Sequence, residues 1–250
     1  MLSQSLSRAV ALARSVYDDF REFLSPSSCL CCGRARDFPD PLLCPVCLDA
    51  LRRKNIGDGP ICPFCGRPFG AGSPCEFCVS TRHLRLYFWG LYDGELKECL
   101  LQFKFHGAIE LGRQLTEMAV GSLQERLTGN TYDYLIAVPL HKNRERERRF
   151  NQSDVLAQGL APLLGTQFLV GALIRTKITG QQAKLEESRR WSNVKNAFSI
   201  SMETAPVIHG KSILLIDDIV TTGATVYEAS RPLINAGVRM VDVFSIAYAP

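Results

Sequence analysis

The sequence predicts an α/β protein, a parallel sheet with helices on both faces, preceded by a small cysteine-rich module. Three observations lead there. From about residue 80 onward, short apolar strands at Leu135 to Val138, Phe168 to Leu173, Ile213 to Ile216 and Val241 to Ile246 alternate with helical patterns, the order of a parallel sheet. The run Ile213-Leu214-Leu215-Ile216 is apolar at every position, as a strand buried on both faces requires. Four C-x-x-C pairs crowd the segment before the first of these strands.

At 250 residues the chain is long enough for one main domain with an appendage, and its 46% apolar content is normal for a globular protein. It has no uninterrupted apolar run of about 18 residues and no basic start followed by a compact apolar block. Neither membrane insertion nor export is therefore expected, and the cytoplasm is the expected compartment. The net charge of +4 suits phosphorylated ligands or nucleic acid without arguing for either. Leu2, Leu6, Val10, Ala13, Tyr17, Phe20 and Leu24 recur at spacings of three and four, predicting an amphipathic helix over 1–26. Its acids Asp18, Asp19 and Glu22 favour packing against protein over lying on an anionic bilayer.

Region 27–80 holds Cys29/Cys32, Cys44/Cys47, Cys62/Cys65 and Cys75/Cys78. A two-residue gap lets a tight knuckle turn two thiolates toward one tetrahedral ion, so four pairs predict two closed structural zinc sites. The segment repeats internally: Cys-Leu-Cys-Cys-Gly-Arg at 29–34 matches Cys-Pro-Phe-Cys-Gly-Arg at 62–67, and each is followed by a plainer pair. A duplicated zinc ribbon is the simplest reading, with Cys29, Cys32, Cys44 and Cys47 on one ion and Cys62, Cys65, Cys75 and Cys78 on the other. A cross-braced pairing is the alternative. Gly33 and Gly66 fit knuckles that need a positive φ. Cys31 and Cys99 are expected to pack as small apolar residues.

Region 81–250 is the α/β body. Alternating Leu84, Leu86 and Phe88 read as a half-buried strand rather than as a base-stacking surface. Ser153 is placed as the N-cap of a helix to about Leu164, with Gly165 past its end, and Gly237 stops a helix running from about Ala224 to Ala236. The apolar strand at 213–216 ends in Asp217-Asp218, followed by Ile-Val and the small, hydroxyl-rich turn Thr221-Thr222-Gly223-Ala224-Thr225. Open α/β sheets bind ligands at the carboxyl ends of their strands. There, adjacent carboxylates can accept from two neighbouring ribose hydroxyls, and a turn opening a helix can cradle a phosphate. A second loop leaves a strand at Pro139-Leu140 and carries five cations against two carboxylates between Lys142 and Arg149. It reads either as a diphosphate or nucleic-acid contact or as a solvated helical turn. Arg175 and Lys177 then open a polar segment that suits a loop closing over a charged ligand, or an ordinary surface excursion.

The 213–225 segment resembles the phosphoribosyl diphosphate (PRPP) motif of type I phosphoribosyltransferases. Joined with the cysteine ribbon, Tyr92-Asp93-Gly94, Lys104-Phe105-His106-Gly107, Val138-Pro139-Leu140, Arg148-Arg149-Phe150-Asn151-Gln152, Arg175 with Gln182, and the 193–198 run, it resembles the ComF family over roughly residues 28 to 249. The resemblance implies a zinc ribbon fused to a type I phosphoribosyltransferase fold, PRPP and Mg²⁺ binding, and a role with incoming single-stranded DNA and DNA-uptake proteins. Asp217 and Asp218 would then hold the ribose hydroxyls as the catalytic pair, while Thr221, Thr222, Gly223, Ala224 and Thr225 wrap the 5′-phosphate. Pro139, Leu140, Arg148, Arg149, Arg175 and Lys177 would face the diphosphate. A module that binds PRPP or a nucleotide without catalysis, and thereby regulates attachment to DNA or protein, is the competing function. Arg149 stands where the family usually has glycine, so a positive φ there would strain the loop, whereas Asn196 is a milder departure of the same kind.

Overall fold

The computed structural model describes residues 28–35, 42–54, 85–126, 131–177 and 194–249. The predicted helix over 1–26, the second cysteine repeat and the polar stretch 178–193 lie outside the described residues. Two compact units, Met1–Arg53 and Lys54–Pro250, make up the chain.

In the first unit a knuckle at Cys29 to Gly33 is closed by Gly33 N–H donating to Cys29 O at 2.9 Å, with Gly33 at φ +70. The second knuckle opens helix α1, Pro45–Arg52. Cys44 is its N-cap and Pro45 its first residue, where a missing N–H costs nothing.

The second unit begins with β1 (Leu86–Leu91), α2 (Gly94–Phe105) and α3 (Ile109–Arg126). It continues through β2 (Tyr134–Ala137), α4 (Lys142–Arg148) and α5 (Gln152–Leu163). The short strands β3 (Gln167–Phe168), β4 (Leu173–Arg175) and β5 (Phe198–Ile200) follow, with α6 at Thr204–Ile208. The last elements are β6 (Ser212–Val220), α7 (Ala224–Asn235) and β7 (Met240–Tyr248). Five strands form one all-parallel sheet in the order β1-β7-β6-β2-β3. Side chains alternate along β6, so Ile213 and Leu215 share a core with Val226, Ala229 and Leu233 of α7. Leu214 and Ile216 point the other way and are also completely buried. This two-sided burial is the reason for the unbroken apolar run.

The predicted strand at 168–173 does not run through. Gly171 takes φ +68 and breaks it, so β3 ends the main sheet and β4 pairs antiparallel with β5. The helix predicted to be capped by Ser153 starts earlier, capped by Asn151, whose Oδ1 accepts from Ser153 N–H at 3.3 Å. Asparagine is as good an N-cap as serine, and the same Asn151 amide also donates to Val138 O at 3.2 Å, tying the cap to the end of β2. The charged loop at 142–149 is helical, with His141 Nδ1 accepting from Asn143 N–H at its start. Gly165 and Gly237 stop α5 and α7 at φ +64 and +78, as predicted. Strand β1 buries Leu86, Phe88 and Trp89, so these aromatic side chains present no base-stacking face. Cys99 is buried in α2.

Helices α2 and α3 meet at Gly112, where a Cβ would lie 2.5 Å from the Phe103 ring. That ring is fully buried and packs on Phe150 with centroids 5.6 Å apart, which carries the α2–α3 contact to the segment joining α4 and α5. Gly112→Ala is expected to destabilise the protein by about 1–3 kcal/mol through overpacking. Denaturant unfolding monitored by circular dichroism measures this, and an unchanged midpoint would show that Phe103 yields freely.

Candidate functional site

Strand β6 outlasts its neighbour. Its pairing with β2 ends at Ile216 opposite Ala137, whereas its pairing with β7 continues to Val220 opposite Tyr248. After the Val138 N–H donates to Ile216 O the ladder stops, because Val138 O accepts from the Asn151 amide and not from β6. On that side the sheet opens into a cleft of about 1100 Å³, and Asp217 and Asp218 stand on its wall.

Asp217 Oδ1 accepts from the Asp218 N–H at 2.9 Å and from Ser153 Oγ at 3.3 Å. Ser153 thus serves the acidic pair from inside α5 rather than capping that helix. Burial raises the Asp217 carboxyl, and the neighbouring Asp218 charge raises it further, to about 7 against an ordinary 3.8; Lys104 opposes both. Asp218 is buried and forms an ion pair with Lys104, Oδ2 to Nζ 2.9 Å. Tyr92 also lines the cleft, its phenol raised by burial and by the charges of Asp218 and Glu98.

Beyond the pair, Gly223 adopts φ +77 and opens α7 without a side-chain cap. The first-turn N–H groups of a helix have no acceptor within it, and the positive end of the helix dipole adds to their pull on an anion. Thr221, Gly223, Ala224 and Thr225 line the cleft there. Across from them come Pro139, Leu140, Arg144, Arg148, Arg149 and Arg175. Arg149 ends α4 in the left-handed region at φ +67, the strained conformation that the substitution for glycine foreshadows, and Asn196 takes φ +54. The Arg148 guanidinium lies over the Phe105 ring, 4.9 Å from its centroid, and burial lowers its pKa. Arg175 is buried with its guanidinium 5.3 Å from the Phe198 centroid, and burial also lowers its pKa. The cleft-lining side chains thus include the five cations Lys104, Arg144, Arg148, Arg149 and Arg175 against the three carboxylates Glu147, Asp217 and Asp218.

Of the residues expected at this site, Thr222 and Lys177 are not among those lining the cleft, and Lys177 Nζ donates to Lys195 O at 2.8 Å. Sequence reasoning assigned no role to Lys104, Phe105 or Tyr92, and gave Ser153 only that of a helix cap. Lys104-Phe105-His106-Gly107 stood out as a motif, but the contact from Lys104 to Asp218 spans 114 residues of sequence and has no periodicity to betray it.

In the first unit, Cys29, Cys32, Cys44 and Cys47 bring their sulfurs within 4.8 Å of one another. This is the pairing within one repeat; a cross-brace would separate the two pairs. Sulfurs around a tetrahedral zinc with bonds of about 2.3 Å lie about 3.8 Å apart, and Cys32 Sγ and Cys44 Sγ are 3.7 Å apart. The donor set therefore fits zinc. Burial pushes the Cys44 thiol up, but the Cys47 amide and the neighbouring sulfurs bring it down to about 7, while burial raises Cys47. Cys62, Cys65, Cys75 and Cys78 lie outside the described residues. No helix among the described residues is long and apolar enough to cross a membrane.

A parallel sheet with an acidic pair and a glycine-opened helix at its carboxyl edge defines an α/β protein whose site lies where such sheets bind their ligands. The DNA utilization protein YhgH of Shigella flexneri is 33% identical over 210 residues, covering 82% of this chain and 89% of that protein. Competence protein ComFC of Bacillus subtilis is 31% identical over 209 residues, 80% of each chain, and Competence protein F of Haemophilus influenzae is 29% identical over 203 residues, 79% and 88%. The chain belongs to the ComF family. No family model matches it. Among solved structures, glutamine phosphoribosylpyrophosphate amidotransferase from B. subtilis aligns with a TM-score of 0.36 at 21% identity, over 55% of this chain and 27% of that one. Adenine phosphoribosyltransferase from Thermoanaerobacter pseudethanolicus aligns at 0.33 and 16%, over 58% and 83%.

The raised Asp217 carboxyl makes stability depend on pH. In the unfolded chain it ionises near 3.8, while in the native protein it keeps its proton to about 7. Ionisation therefore penalises the native state progressively across that window and fully above it. Asp217→Asn removes the ionisable group and keeps an acceptor oxygen. Its Tm is expected to exceed the wild-type value at pH 8, by a margin that shrinks toward pH 5. Scanning calorimetry across that range checks it, and a margin independent of pH would count against the assignment.

Proposed function

We propose that the cleft binds PRPP. The ribose lies against Asp217 and Asp218, the 5′-phosphate rests on the turn from Thr221 to Thr225, and the diphosphate faces Arg148, Arg149 and Arg175. The observation that carries this reading is the adjacency, at one strand end, of two carboxylates and an uncapped helix start. Together they offer acceptors for two hydroxyls beside donors for a phosphate. Pro139 and Leu140 shape the opposite wall. Bound together with PRPP, Mg²⁺ would supply neutralisation of negative charge on the diphosphate. Fixing the sugar while its anomeric C–O bond to diphosphate breaks is the main catalytic contribution this geometry offers a transferase.

The names of the relatives, DNA utilization and competence proteins, support a role for this chain in DNA uptake or nucleotide handling in the cytoplasm, with single-stranded DNA and DNA-uptake proteins as partners. Two zinc ions, one per cysteine repeat, hold the N-terminal module, and metal binding supplies much of its folding free energy.

Calorimetry with PRPP and Mg²⁺ tests the site. Replacing both acids (Asp217→Asn with Asp218→Asn) is expected to weaken binding at least about tenfold through the loss of charge-assisted hydrogen bonds. Equal affinity in the two proteins would remove the reading, and release of diphosphate across a panel of bases and amines decides whether binding leads to turnover. Elemental analysis of purified protein is expected to find two zinc ions per chain, falling to one in Cys29→Ser with Cys32→Ser. A native protein free of metal would reject the ribbon.

A further inference from the structure

We infer that Lys104 is a positioning residue of the acidic pair: its ammonium neutralises Asp218, letting two adjacent buried carboxylates stand together as hydrogen-bond acceptors for a sugar. The inference extends the PRPP reading and rests on it for the identity of the sugar. Lys104 lies in the last turn of α2, outside the sheet, and its Nζ sits 2.9 Å from Asp218 Oδ2. Both side chains are largely buried, 15% and 11% exposed. Among the described residues it makes the only ion pair of either carboxylate. The remaining groups acting on the pair do so at longer range or without charge. Arg148 of α4 and the Tyr92 phenol face Asp218, Arg175 of β4 faces Asp217, and Ser153 donates to Asp217.

Two neighbouring carboxylates taken out of water cannot both ionise cheaply, because each raises the proton affinity of the other. A carboxylic acid that keeps its proton has lost much of its acceptor strength. A buried ammonium at ion-pair distance from Asp218 opposes this for Asp217 through space, in agreement with the lowering influence of Lys104 on Asp217. This gives the Lys104-Phe105-His106-Gly107 motif a function: Phe103 locks the helix end into the core, and Lys104 projects from the next position to the acids.

The test uses the full chain with Lys104→Met, which keeps the bulk and loses the charge, and Lys104→Arg, which keeps the charge. Carbon-13 NMR of the aspartate carboxyls is expected to show the Asp217 titration displaced upward by about one pH unit or more in Lys104→Met and near wild type in Lys104→Arg. PRPP with Mg²⁺ is expected to bind Lys104→Met about tenfold more weakly at pH 7, recovering as pH rises, because affinity follows the ionised pair. In an Asp218→Asn background the same substitution is expected to change affinity less than about threefold, since the charge it balances is gone. An unmoved carboxyl titration in Lys104→Met overturns the inference, as does a binding loss of the same size in both backgrounds. Should wild-type protein not bind PRPP at any pH, the PRPP reading fails, and the carboxyl titration alone still decides the role of Lys104. A Lys104→Met protein that does not fold leaves Lys104→Arg and a Lys104→Gln variant to give the same comparison.

Discussion

Everything at the cleft depends on a mismatch in strand length. Strand β6 is held by β7 along its whole course but is released by β2 after Ile216, because the Asp218 N–H turns to the Asp217 side chain and Val138 O accepts from Asn151 instead. The four residues from Asp217 to Val220 are therefore rigid on one side and open on the other. A sheet paired equally on both sides would have buried the carboxylates without access, and a strand ending at Ile216 would have left them on a mobile loop. Rigid backbone with one free flank is what a preorganised site requires.

That placement creates an electrostatic problem, which distant elements solve. Asp217 is stabilised by a neighbouring amide and by Ser153, Asp218 by Lys104. The elements that supply these groups are fixed in turn by packing. Phe103 wedges against Gly112 and Phe150, so α2, α3 and the Arg148–Asn151 segment share one buried ring. Asn151 caps α5 and holds the end of β2. Cations on α4 and β4 are stacked on Phe105 and Phe198 rather than left free in solvent, which restricts where their charge points. The left-handed turn at Asn196 is held in the same way, with its N–H donating to Glu228 of α7 at 2.8 Å.

Much of this was legible in the residues. The apolar run at 213–216 specified a strand buried on both faces, and Gly165 and Gly237 marked helix ends with a left-handed turn that only glycine adopts without cost. The C-x-x-C spacing specified knuckles, and the four sulfurs of the first repeat do converge. Failures came where two local signals competed. Ser153 and Asn151 are both good caps, and only the position of β2, which Asn151 reaches, favours one over the other. The 168–173 segment has strand-forming residues on both sides of Gly171, and the backbone turns there because β4 has a partner in β5, about 25 residues further on.

By itself the sequence determined the fold class, the strand carrying the acids, the small turn after them and the ligand chemistry of the first knuckles. These are properties of periodicity and of short-range spacing, which a chain displays before it folds. The tertiary structure alone decided that Lys104 meets Asp218, that Ser153 serves Asp217 instead of a helix end, and that Lys177 turns to a backbone carbonyl instead of the cleft. The reason is the same in each case. A charge or hydroxyl does not reveal its partner locally when the partner lies tens of residues away and is selected by packing.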